Sequence, residues 1–383
     1  MAPAAQLDEY LGECRDACEQ EIRRLFSPAS GSSGGLFDLI LDYPLRGGKG
    51  LRPALSIAVC LGLGGYLEAV LPTAATLELY HNAFLIHDDI EDGSLERRGQ
   101  PTLHRAHGVP IAINVGDAML SLSLRPLLDN VERIGLGPAL RVLQAVAHMT
   151  HKTVEGQAVE LDWVRANAWD LDVGDYLSMV ERKTSWYSFV TPMMVGAIAA
   201  GEPAERVSEL EPFGRHLGAA FQITDDILNL RADPEEYGKE IGGDLWEGKR
   251  TLMVLHALRH ASPADRARGR EVLARARPES DGESGIDGLL DLLVLRGELR
   301  PSGRTEIRAQ LRGRSVDEPK SLDDVRWLYA LIQRTGSLDH AREIARSHAA
   351  QAARSLDALD WLPPSRHRDI LLALVDYVHE RTR

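Results

Sequence analysis

Apolar residues recur at three- and four-residue spacing through almost every long segment of this chain. The pattern runs over about 8–26, 73–92, 114–128, 138–164, 172–200 and 206–232, and returns over about 321–381. That period lays one apolar stripe along each segment, as in helices that pack on helices. No convincing stretch alternates apolar and polar residues between turn pairs, as a half-buried strand would. Many amphipathic helices with few strands imply an all-α chain folded as a helical bundle. An aromatic content of 5%, with abundant Leu, Ala, Glu and Arg, points the same way.

Breakers set the expected boundaries. A Ser- and Gly-rich loop follows the first helix. GGKGLRP (47–53) then leads into an apolar helical run that ends at Leu71, and Pro72 opens the next helix. Gly93 to Gly108 is polar and basic, so a loop is expected; Asn114 to Leu128 reads as a buried, Leu-rich helix. A lysine-bearing loop is expected over 235–250, with a helix from Thr251. The stretch at about 276–320 is polar and broken by Gly, Pro and Ser. It reads as an exposed insertion, holding one short helix (GLLDLLVL), in a single domain spanning 1–383.

A net charge of −13 repels nucleic-acid backbones, which excludes nucleic acid as a partner. An anionic small substrate stays open, provided that positive charge is gathered locally. Cys14, Cys18 and Cys60 are too few, and odd in number, for a disulfide framework, which argues for a reducing compartment. MAPAAQLDEYLGEC has no basic stretch followed by an apolar run, and no uninterrupted apolar stretch approaches transmembrane length. A cytoplasmic protein without a membrane span is expected.

The sharpest local signal is HDDIEDGSLERRG (87–99). Asp88 and Asp92 lie four apart, so on a helix they share one face, with Asp89 and Glu91 beside them. Such a cluster on an otherwise apolar helix is costly unless something neutralises it. Magnesium meets that need, because it takes one or two carboxylates and completes its shell with substrate phosphate oxygens. Arg97 and Arg98 follow within one loop and offer planar donors suited to phosphate.

A second acidic cluster stands in FQITDDILNL (221–230), where Asp225 and Asn229 share a helical face beside Asp226. Two such helices facing one another would make a multi-metal diphosphate site. Basic residues sit close to these motifs. Lys49 and Arg52 lie in GGKGLRP, where glycines let the backbone approach an anion. Lys183 and Thr184 lie in VERKTSW, and Lys239 and Lys249 bracket a Gly-rich loop.

Taken in order over about residues 45–255, the motifs GGKGLRP, YHNAFLIHDDIEDGSLERRG, VGD, KTSW, FQITDDILNL and GKEIGGDLWEGKRT resemble the trans-isoprenyl diphosphate synthase family. That family includes farnesyl, geranylgeranyl and longer polyprenyl diphosphate synthases. The resemblance implies the isoprenoid synthase fold with a central diphosphate-binding cavity. It also implies a homodimeric, magnesium-dependent transferase that joins isopentenyl diphosphate to an allylic diphosphate (dimethylallyl, geranyl or farnesyl).

By the same resemblance, Asp88, Asp89, Asp92, Lys183 and Asp225 form the catalytic set. Asp88, Asp92, Asp225 and Asp226 would hold magnesium, about three ions per site. Lys49, Arg52, His81 and Arg98 match the isopentenyl diphosphate site. Arg97, Lys183, Thr184, Gln222, Lys239 and Lys249 match contacts to the allylic diphosphate. Asn229 departs from the usual aspartate, as in sequences like eukaryotic geranylgeranyl diphosphate synthases, which gives Asp225 most of the metal binding.

The helix bearing the first motif should line a tunnel for the growing chain. Counting back from Asp88, Phe84 is one turn deeper and Tyr80 two, and Ala83 stands five positions before the motif. In the family these positions limit product length. Small Ala83 leaves room and bulky Phe84 removes it, so a short product is expected, geranylgeranyl diphosphate ahead of farnesyl diphosphate. Two rivals fit less well. A class I terpene cyclase needs no isopentenyl diphosphate site, and a non-catalytic subunit tends to lose the acidic motifs kept here.

Overall fold

The computed structural model describes residues 3–26, 34–231, 242–276 and 319–380, with scattered positions between 290 and 307. Lys239 lies outside the described residues, and so does most of the insertion expected at about 276–320, including its short helix.

Helix follows helix from the start: α1 (Pro3–Leu25), α2 (Gly34–Leu45), α3 (Leu51–Gly62) and α4 (Leu67–Glu91). A two-residue antiparallel pair, β1 (Glu96–Arg97) with β2 (Gln100–Pro101), precedes α5 (Leu103–His107), α6 (Val109–Leu122), α7 (Leu124–Ile134) and α8 (Leu136–Arg165). Next come α9 (Val173–Val180), a π-helix (Glu181–Val190), α10 (Thr191–Ala199), α11 (Ala204–Ser208) and α12 (Glu211–Arg231). The chain closes with α13 (Gly243–Glu247), α14 (Leu252–His260), α15 (Pro263–Ala274), α16 (Leu322–Arg334), α17 (Ser337–Asp357) and α18 (Arg366–Glu380). The all-α helical bundle expected from the apolar period is what forms.

α4 runs through the middle. Residues all around its circumference are buried, among them Val70, Leu77, Leu79, Ala83 and Ile86. α1, α3, α6 and α7 pack against it. The π-helix packs between α8 and α12, and α17 lies along α12. A π-helix is wide, so its neighbours must be slim. They are: an added Cβ at Gly156 of α8 would strike the Lys183 backbone nitrogen, and one at Gly218 of α12 would strike Ser185.

Several boundaries differ from the sequence reading, and α13 forms inside the stretch 235–250 that was expected to be a loop. Pro72 does not open a helix; it lies inside α4, which begins at Leu67. The chain turns earlier, at Gly64 (φ 80°), while Pro72 forgoes only one backbone hydrogen bond near the start of α4. α2 (Gly34–Leu45) occupies a segment between the Ser- and Gly-rich loop and GGKGLRP to which the sequence reading assigned no element. The polar stretch 93–108 carries the β pair and α5. Its turn places Arg98 (φ 56°) and Gly99 (φ 70°) both in the left-handed region, a type I′ hairpin.

The expected buried helix over 114–128 is two helices, broken at Ser123, whose Oγ donates to the Met119 carbonyl at 2.6 Å. It is also not wholly buried: Leu124 and Leu128 are 49% and 56% exposed. The combined stretch Val109–Ile134 is long and apolar enough to cross a membrane by length and composition. Asp117 and Arg125 interrupt it, so it is not an uninterrupted apolar run. Within the bundle this stretch packs on α4 and α8.

Candidate active site

One cavity of about 590 Å³ gathers nearly all the residues singled out in the sequence. Lys49, Arg52, His81 and Arg98 line it, as do Asp88, Arg97, Lys183, Thr184, Gln222, Asp225, Asp226 and Lys249. His81 precedes Asp88 by seven positions on α4, which separates the two by about 10 Å along the axis. The cavity thus has a basic end and an acidic end.

At the basic end, the Arg52 guanidinium donates to Ser188 Oγ at 2.7 Å and lies 4.7 Å over the Tyr187 ring. His81 stacks on the same ring, 5.8 Å from Tyr187 between centroids. Lys49 Nζ lies 5.5 Å over Tyr377 of α18. Arg98 donates to the Tyr43 carbonyl at 2.9 Å, and burial pulls its pKa below the ordinary value. A cation held by an aromatic face and a hydroxyl, as Arg52 is, is positioned while its charge stays available to an anion.

At the acidic end, the two neighbours Asp88 and Asp89 part company. Asp89 is fully buried. It accepts from the Tyr43 hydroxyl at 2.8 Å and from both Nε and Nη2 of Arg97. Arg97 is therefore an ion-pair partner of Asp89 as well as a cavity-lining residue. Asp88 faces the cavity, where Lys183 Nζ approaches its Oδ1 at 3.1 Å and also pairs with Glu160. Burial pushes Asp88 up, but Lys183, Lys249 and Arg97 outweigh it and hold the carboxyl below the usual range.

Asp92 pairs with Lys249 Nζ at 2.8 Å, and Glu247 shares that ammonium at 2.9 Å. Burial pushes Asp92 up to about 7 against the pull of Lys249, with Asp88 and Glu247 adding to the rise. In the second motif, Asp226 accepts from the Tyr176 hydroxyl and from Gln222 Nε2, both at 2.7 Å. Burial pushes it up to about 7 against these two donors. Gln222 also accepts from Thr184 Oγ1 at 2.9 Å, so the π-helix and α12 share one polar chain. Asn229 points elsewhere, its Oδ1 accepting from the Asp244 backbone at 3.2 Å and anchoring the following turn.

Four carboxyl groups, Asp88 and Asp92 at the end of α4 and Asp225 and Asp226 in α12, line or adjoin one cavity and are hard oxygen donors that suit magnesium. Two of them are pushed toward protonation, an excess of acid that a divalent cation would relieve. Among the described residues, no three His, Cys, Asp or Glu side chains converge on one point.

The tunnel candidates lie on α4. Tyr80 and Phe84 meet edge to face at 6.1 Å, and Phe84 meets Tyr187 at 5.7 Å. Ala83 is fully buried in the cluster formed with α2 and α6, on another side of the helix.

Residues 35–285 match the polyprenyl synthetase family. The chain belongs to that family. This prenyl diphosphate synthase is 31% identical over 335 residues to the short chain isoprenyl diphosphate synthase of Methanothermobacter thermautotrophicus, covering 88% of this chain and 87% of the other. It is 32% identical over 343 residues to the geranylfarnesyl diphosphate synthase of Aeropyrum pernix, covering 88% and 91%. The fold superposes with a TM-score of 0.75, at 27% identity, on a geranylgeranyl pyrophosphate synthase from Corynebacterium glutamicum complexed with isoprenyl diphosphate and magnesium. That comparison covers 98% of this chain and 99% of the other. The synthase is a transferase of the isoprenoid synthase fold, and the product lengths named for its relatives differ.

Several site residues of this synthase escaped the sequence reading. Glu160 shares Lys183 with Asp88, and Gln157 bridges Asp88 at 3.3 Å and Glu91 at 2.5 Å. GQAVEL carries only a weak signal, a polar pair three apart in a helix that is already rich in charge. Arg250 stacks 4.0 Å over Trp169 and donates to Gly248 at 2.7 Å; burial pulls it down to about 10. Tyr43 and Tyr176, which hold Asp89 and Asp226, left no such signal.

Proposed function

We propose that this prenyl diphosphate synthase condenses isopentenyl diphosphate with an allylic diphosphate, giving a short product, geranylgeranyl diphosphate ahead of farnesyl diphosphate. The observation that carries the reading is the division of one cavity into a basic end, where Lys49, Arg52, His81 and Arg98 gather, and an acidic end with two aspartate motifs. A single diphosphate would need only the second. The basic end supports a second anionic substrate.

Lys49, Arg52, His81 and Arg98 bind the isopentenyl diphosphate. Lys183, Lys249, Thr184 and Gln222 bind the allylic diphosphate, with Arg97 fixed beside it by Asp89. Asp88, Asp92, Asp225 and Asp226 would hold magnesium, which when bound neutralises charge building up on the departing diphosphate. Lys183 and Lys249, already held among carboxylates, stand ready to stabilise that same charge as the allylic carbon–oxygen bond ionises. The double bond of isopentenyl diphosphate, held at the basic end of the same cavity, attacks the allylic cation. Loss of a proton to the released diphosphate completes the step.

The aromatic pair Tyr80–Phe84, two turns and one turn from Asp88 along α4, supports a floor that stops chain growth early. Ala83 contributes little to that floor, since it is enclosed on another side of α4. The rest of the reading extends this one: a single synthase domain, a homodimer and a cytoplasmic setting. The uncovered apolar faces of α6, α7 and α8 support the dimer, with Ile111, Leu128 and Leu140 each more than two-fifths exposed. Three buried free thiols support a reducing compartment.

Incubation with labelled isopentenyl diphosphate and each allylic primer, followed by chain-length analysis, tests the product. Chains of four isoprene units are expected; accumulation of much longer chains would overturn the short-product reading.

A further inference from the structure

We infer that Lys320 is a positioning residue for Lys249, an inference that rests on reading Lys249 as an allylic diphosphate contact. Lys320 is 1% exposed, which is rare for a lysine and costly unless its protons find acceptors. Its Nζ donates to the carbonyl oxygens of Leu245 and Trp246, both at 2.7 Å. Those carbonyls belong to α13, so the ammonium draws that helix in from beneath.

Lys249 stands just beyond α13 and is tied to it. Its backbone nitrogen donates to the Asp244 carbonyl at 2.9 Å. Its ammonium reaches Asp92 at 2.8 Å and Glu247 at 2.9 Å. Gly248 between them (φ 71°) has no room to shift: an added Cβ would lie 2.5 Å from the Leu273 carbonyl and 3.7 Å from Lys320 Nζ. The turn is therefore seated directly on the end of α15 and on Lys320.

Lys320 itself is fixed from both sides. Its backbone nitrogen donates to the Ala276 carbonyl at 2.9 Å. The next residue, Ser321, caps α16 in a capping box with Asp324, and Arg275 pairs with Asp324 at 3.2 Å. The chain thus leaves at Ala276 and returns at Lys320 to the same point, and the residue of return sets the turn that carries Lys249. A lysine on the surface would serve solubility as well; only one aimed at α13 serves Lys249.

Steady-state kinetics with magnesium and both substrates test this on Lys320→Met, Lys320→Gln, Lys249→Ala and the double variant Lys249→Ala/Lys320→Met. Lys320→Met is expected to lower kcat/KM for the allylic diphosphate about tenfold or more, the usual cost of losing a residue that orients a site group. KM for isopentenyl diphosphate, bound at the far end, stays unchanged, and Lys320→Gln, which keeps an N–H donor, recovers part of the loss. Added to Lys249→Ala, Lys320→Met costs little more, because it acts through Lys249. Equal losses for both substrates, or a full additional loss in the double variant, would show a merely structural lysine and overturn the inference. An impaired Lys249→Ala beside an unimpaired Lys320→Met overturns it too. A Lys249→Ala enzyme with unchanged allylic kinetics overturns instead the reading of Lys249. Where Lys320→Met does not fold, Lys320→Gln alone and with Lys249→Ala replaces it, and the same outcomes support or overturn the inference.

Discussion

Asp88 and Asp89 are adjacent in the chain and opposite in circumstance. Asp89 is sealed between Arg97 and Tyr43, whereas Asp88 faces the cavity beside Lys183. Breaking a buried pair strands a charge, so Asp89→Ala is expected to lower stability by about 3–5 kcal/mol in urea unfolding. Asp88→Ala leaves Lys183 still paired with Glu160, so its stability changes little while turnover collapses. Equal stability losses in the two variants would contradict this division. Phe84→Ala should lengthen the product, as read by chain-length analysis; an unchanged product would assign the floor elsewhere. Asp88, Asp225 and the basic set were legible because each lies in a short motif whose members are sequence neighbours. Tyr43 and Lys320 were not, because their partners are 46 and 75 positions away and nothing local marks the pairing.

Helices were legible as elements because their stripes have a fixed period, yet their variants were not. The π-helix shares its apolar period closely enough with its flanks to read as one helix over 172–200. Its presence is written instead in Gly156 and Gly218 on the neighbouring helices, where a side chain has no room. Gly156→Ala is expected to displace Lys183 and to cost about 1–3 kcal/mol of stability by overpacking, together with activity; an unaltered melting temperature and turnover would refute the close approach. α14 and α17 meet through stacked histidines, His256 lying 4.0 Å from His260 and 4.1 Å from His340. Burial, with its neighbours, pulls His256 down to about 4 from an ordinary 6.5. The unfolded chain therefore takes up a proton as pH falls through about 6.5 while the folded chain does not, so stability drops from there toward pH 4. Melting temperatures at pH 7 and pH 5 should fall further apart in the native protein than in His256→Asn; the same gap in both would show that His256 does not drive the drop.

At the scale of the whole molecule, two faces of the bundle are expected to behave differently. Charging the uncovered side of α7 and α8, as in Leu128→Glu with Leu140→Glu, should convert a dimer to monomers in sedimentation experiments; a native protein already monomeric would remove the dimer. The bundle was legible from periodicity; the cavity was expected only through the family resemblance, because no local pattern shows that α4, α8, the π-helix and α12 come together around it. The division of that cavity into two ends is the central claim, and one measurement tests it most directly. The purified synthase is given magnesium, an allylic diphosphate and labelled isopentenyl diphosphate. Label appearing in a longer allylic diphosphate, and lost on Arg52→Ala through a raised KM for isopentenyl diphosphate alone, is the predicted result. Consumption of the allylic diphosphate with release of a hydrocarbon and no incorporated label would contradict it.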